Sequence, residues 1–87
     1  MFIREVHPER GVALIWTERL LGDSEHTIQL NELARHISGI ADVICSGKTM
    51  TLIMEKPHSE AILFRIALAF IERVPDRWIG RRLPKDQ

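Results

Sequence analysis

The chain of 87 residues is long enough for one small domain and its core, not for two. At 45% hydrophobic residues it carries too much apolar material for wholesale disorder. Its 12 basic and 12 acidic residues cancel, which removes the electrostatic draw towards nucleic acid or a membrane surface and also the repulsion that keeps copies apart.

Residues 2–6 form a short extended candidate. His7-Pro8-Glu9-Arg10-Gly11 breaks it, because Pro8 biases His7 towards an extended conformation and Gly11 offers a turn. This opening segment lacks the basic-then-apolar form and the length of a signal peptide. Residues 12–17, Val-Ala-Leu-Ile-Trp-Thr, are rich in strand formers. Their unbroken apolar character fits a central strand and leaves the inward phase open. A polar connection over 20–26 has Gly22-Asp23-Ser24 at its centre. Leu30, Leu33, Ala34 and Ile37 then make one helical stripe. Thr27 or Asn31 can cap its start, and Gly39 stands where a left-handed C-terminal cap belongs, with Arg35 and His36 near the negative end of the dipole.

Residues 39–55 read as a β-hairpin, the stretch around which the chain is organised. Val43, Ile44 and Cys45 form one apolar run, Ser46-Gly47-Lys48 a turn, and 49–54 a second strand with period-2 alternation. Thr49, Thr51 and Ile53 fall on one side of it, Met50, Leu52 and Met54 on the other. Pro57 and Ser59 signal a second helix, and Pro75 ends it. Residues 61–71 hold a single charge, Arg65, so the helix is either deeply buried or used by a partner. Its longest apolar run, 66–71, is far short of the ~20 residues that span a bilayer.

The predicted order is β-α-β-β-α, with room for an extra strand at either end. This is an α+β two-layer sandwich, with two helices on one face of an antiparallel or mixed sheet, ferredoxin-like in arrangement. A last strand after the second helix is a poor fit to the short, charged run 77–83, so 2–6 is the alternative edge. One domain over 1–76 and a basic C-terminal tail over 77–87 are expected.

His7-Pro8-Glu9-Arg10-Gly11 leading into a strand, a helix closing on Gly39-Ile40, and the hairpin that follows resemble small ferredoxin-like domains of the heavy-metal-associated superfamily. The resemblance covers a little over half of the chain. That family's metal loop carries Cys-x-x-Cys between first strand and first helix, and residues 17–27 contain no cysteine, so metal transport does not carry over. The same order is similar to the N-terminal domain of Nfu-type iron–sulfur proteins, which also lacks the cluster cysteines. There 2–6 and 12–17 would be successive strands. Both resemblances imply a non-catalytic domain that works through contacts, with a metal or iron–sulfur trafficking accessory role as one form of it.

The candidate sites are modest. Ser46-Gly47-Lys48-Thr49 matches the end of a phosphate-binding loop, but Asp42 stands where that loop needs glycine and a strand follows, so a hairpin turn is expected. Cys45 in an apolar strand reads as a buried, inert thiol. His7, His26, His36 and His58 lack the close pair usual for zinc. Residues 30–44 superficially suggest a helix-turn-helix, although 40–49 makes a better strand. With no legible acid–base or nucleophile pair, no catalytic residue, cofactor or metal is expected. The expectation is a cytoplasmic, non-enzymatic domain that contacts a protein partner or itself, as a homodimer, and does not engage a membrane. The contact residues expected are Phe64, Leu68 and Ile71 on the second helix and Arg77, Trp78 and Arg81 in the tail. Nucleic-acid binding through that tail is the alternative, by stacking and phosphate contacts.

Overall fold

The computed structural model describes residues 2–17 and 24–75, with side chains from 27 onwards in the second stretch. The elements are β1 (Phe2–His7), β2 (Val12–Trp16), α1 (Ser24–Ala34), β3 (Ile40–Ser46), β4 (Thr49–Met54) and α2 (Glu60–Arg73). The four strands form one antiparallel sheet in the order β1-β2-β4-β3, and both helices pack on the same face of it. This α+β arrangement is compatible with a ferredoxin-like two-layer sandwich. The edge beside β2 is filled by β1, so no strand is required after α2. The last two strands form the expected hairpin, and its alternation settles the phase. Met50, Leu52 and Met54 are buried beneath the helices, while Thr49, Thr51 and Ile53 face the other way.

The turns carry the expected residues. A 3-10 turn over Pro8–Arg10 joins β1 to β2, and Gly11 leaves it at φ +66° with its N–H donating to the Pro8 carbonyl at 3.1 Å. Between β3 and β4 only Gly47 and Lys48 lie outside the ladder, with Gly47 at φ +59° and Lys48 at negative φ. That is the Gly-X pattern of a II′ hairpin turn, whose twist suits the flanking strands. The Lys48 carbonyl accepts from the N–H of the buried Thr17 at 2.8 Å, tying the end of β2 to this turn.

Three expectations need correction. The first helix starts at Ser24, so Thr27 and Asn31 are interior to it and neither caps it. It ends at Ala34 in a tightened turn, where His36 N–H donates to Leu33 and Ile37 N–H to Ala34. Gly39 therefore lies beyond the helix, in the turn before β3, at φ +103°. The third correction concerns α2. Ser59 caps it as expected, its hydroxyl accepting from Ile62 N–H at 3.3 Å. Its buried stripe is Leu63, Ala67, Phe70 and Ile71, with Ile66 packed at the margin. Ile71 is 6% exposed and belongs to the core, so it is not available as a surface contact.

One contiguous core results. From the sheet come Ala13, Ile15, Val43, Met50, Leu52 and Met54, and from the helices Leu30, Ala34, Leu63, Ala67 and Phe70. In register, Val6, Ala13, Leu52 and Val43 make one inward row across all four strands.

Candidate functional site

The helices cover one face of the sheet. Directly opposed residues of paired strands share a face, so the register also builds the other face row by row. Phe2, Trp16, Thr49 and Ser46 form one row, Glu5, Leu14, Thr51 and Ile44 the next, and His7, Val12, Ile53 and Asp42 the third. Six of these twelve side chains are large and apolar: Phe2, Trp16, Leu14, Val12, Ile53 and Ile44. Phe2 is 54% exposed and Ile44 47%, and the other four are half-buried by their neighbours. Among the described residues, no helix or strand packs on this face.

Its two ends differ in charge. At the Trp16 end the Phe2 and Trp16 rings sit 5.5 Å apart, tilted by 37°. Lys48 Nζ lies 5.8 Å from the Trp16 ring centre, within the reach of a cation–π contact. Arg4, the extra residue of a bulge in β1, lines a hollow with Phe2 and Trp16. At the far end stands Asp42, whose Oδ1 accepts from Val43 N–H at 2.8 Å. Glu5, between them at the β1 margin, holds His7 Nε2 at 2.8 Å.

The sheet edges are less inviting than this face. Exposed edge strands offer unpaired backbone groups, and proteins blunt them with bulges, charges or covering elements. Both edge strands here carry a register shift, in β1 between Ile3 and Glu5 and in β3 between Ile40 and Asp42. On β3 the blunting goes further. Asn31 of α1 donates from Nδ2 to the Val43 carbonyl at 2.7 Å and accepts from Val43 N–H at 3.0 Å. A side-chain amide thus occupies the two groups that another strand would need.

A second apolar surface lies on the opposite side of the molecule. Phe64 and Leu68, both expected as contact residues, are exposed on α2, Leu68 by 51%. Arg77, Trp78 and Arg81 lie outside the described residues. Ser46-Gly47-Lys48-Thr49 is a hairpin turn, and 40–46 is a strand, which rules out the helix-turn-helix reading. Cys45 is half-buried at the core margin. His7 ends β1, His36 lies in the turn after α1, the His26 side chain lies outside the described residues, and His58 precedes α2 with its Nε2 buried and without a hydrogen-bond partner. Among the described residues no group of three or more His, Cys, Asp and Glu side chains is placed to hold a metal ion. Nor is any described helix long and apolar enough to cross a membrane.

Sequence reasoning missed the open face because Val12, Leu14 and Trp16 belong to a wholly apolar strand. The available signal was the partner pattern, in which every second residue of 49–54 is Thr, Thr or Ile and so marks a face that water reaches. Comparison of the chain with protein-family models, with curated proteins and with solved structures finds no match.

Proposed function

We propose that the chain is a non-catalytic α+β domain that works through protein–protein contact, including contact with itself, and that the open sheet face is the surface it uses. The observation that carries this reading is the run of apolar side chains across all four strands of a face that no described element covers. Single exposed apolar residues are ordinary on any surface, but a contiguous patch is characteristic of an interaction site. Burying each large side chain contributes roughly 1.5–3 kcal/mol before the costs of association. The blunted edges direct a partner to the face, and zero net charge leaves copies without long-range repulsion. The resemblance to heavy-metal-associated and Nfu N-terminal domains, stripped of metal-binding cysteines, is in keeping with a role built on contacts.

Sedimentation over a concentration series tests this. The expected result is a mass that rises above the 10.0 kDa of one chain and returns to it in the Leu14→Glu variant. A native chain that stays monomeric at hundreds of micromolar overturns self-association.

A second reading has one observation in its favour. The Phe2–Trp16 pair beside Arg4 and Lys48 has the ingredients of a platform for single-stranded nucleic acid. Glu5 and Asp42 on the same face, and the absence of net positive charge, oppose a phosphate backbone crossing it. Titration of labelled single-stranded RNA at low salt is expected to show weak binding or none. Micromolar binding that falls steeply with salt would reverse the order of the two readings.

A further inference from the structure

Two apolar surfaces lie on opposite sides of this sandwich, and each carries opposite charges set apart along its length. On α2, Ala61, Phe64, Arg65, Leu68 and Glu72 recur at helical spacing on the side away from buried Leu63, Ala67 and Phe70, and all five are exposed. Arg65 and Glu72 are seven residues apart, which is about 10 Å along a helix. On the sheet, the Trp16 row with Lys48 and Arg4 is separated from the Val12 row with Asp42 by four residues of strand, about 13 Å. The two dipolar patterns differ in span by about 3 Å, within the reach of long side chains, and are opposite in sign when a helix lies along β2 and β4 with Glu72 at the cationic end.

From this we infer head-to-tail self-association, in which the outer face of α2 in one copy docks on the open sheet face of the next. The inference rests on the protein-contact reading and adds to it the occupant and the geometry. Leu68 and Phe64 meet Leu14, Val12 and Ile53, Glu72 approaches Lys48 and Arg4, and Arg65 approaches Asp42. A symmetric pair, helix on helix or sheet on sheet, would cover one surface and leave the other without cover from the described residues. The heterologous contact covers both, and by symmetry it propagates into a ring or a filament.

Complementation distinguishes these geometries. Leu68→Glu spoils the helix surface and leaves the sheet surface whole; Leu14→Glu does the reverse. Each variant alone is expected to sediment as a 10.0 kDa monomer, and an equimolar mixture is expected to form a discrete dimer of one copy of each. Ile44→Glu, on the same face and more exposed, replaces Leu14→Glu if circular dichroism shows that chain unfolded. Glu72→Lys should weaken association about tenfold, and Lys48→Glu in the same chain should restore it, as expected of a charge pair across an interface. A mixture of folded variants that stays monomeric overturns the head-to-tail contact. If Leu68→Glu assembles like the native chain while Leu14→Glu does not, the sheet face remains the contact surface and only the head-to-tail geometry is lost. A native chain without self-association removes both.

Discussion

Replacing Leu52 by alanine tests the architecture at its centre. Leu52 is fully buried in β4, opposite Ala13 on one side and Val43 on the other. Removing three carbon atoms forfeits roughly 2.4 kcal/mol of transfer free energy at about 0.8 kcal/mol per methylene-sized group. The cavity left behind adds to that, which is why buried Leu→Ala changes span about 2–5 kcal/mol. The neighbouring side chains pull the cost in opposite directions. Ala13 beside the site has no side chain that could extend into the gap, but Met50 and Met54 share the inward face of β4 and are flexible enough to move into part of it. The expected loss is about 2.5–4 kcal/mol, out of a total near 4–13 kcal/mol for a domain of this size. Urea unfolding followed by far-UV circular dichroism should therefore show a much lower midpoint at an unchanged slope. Thr51→Ala, one residue away on the open face, is the control and should change stability by no more than about 0.5 kcal/mol. A loss below about half a kilocalorie for Leu52→Ala would place Leu52 outside the core and reject the strand phase on which the open face depends.

The clamp on the sheet edge makes a separate prediction. Asn31→Ala should cost about 1–2 kcal/mol, because the Val43 carbonyl loses its partner while the Val43 N–H keeps Asp42; unchanged stability would show the clamp to be idle. Glycine replacement should separate the two hairpins. Gly11→Ala places a Cβ 2.8 Å from the Lys56 carbonyl oxygen at φ +66°, whereas Gly47→Ala at φ +59° meets nothing within 4 Å. The second should lose only the left-handed penalty of about 1–2 kcal/mol, and the first clearly more; equal losses in denaturation would refute the clash.

Legibility followed contrast in the pattern. In 49–54 threonines alternate with large apolar residues, so the period of two was plain and the buried side correct. In 12–16 every residue is apolar, so the same period is invisible, and the inward phase of a strand buried on one face and apolar on the other stays open. The start of α1 was missed because Ser24, Thr27 and Asn31 are all good caps, and Asn31 turned out to serve the sheet edge instead. On α2 the choice between adjacent stripes turned on one residue. Ile71 belongs with Ala67 at a spacing of four, and in a helix apolar on nearly every side that spacing competes with several others. Phe64 and Leu68 stand on the surface as expected, because among the described residues no element packs over that side of α2.

The strand order also has a kinetic consequence. Both hairpins close locally, β3 to β4 across two residues and β1 to β2 across a short helical turn, events of about 1–10 μs in isolated chains. Neither makes the sheet. That requires β2 to meet β4, setting Val12 against Ile53 across a loop that contains all of α1 and β3. Two quickly formed ribbons therefore wait on one long-range seam, and the refolding rate should report the seam. Leu52→Ala, which weakens it, should slow refolding, whereas Phe2→Ala at the outer margin should mainly hasten unfolding.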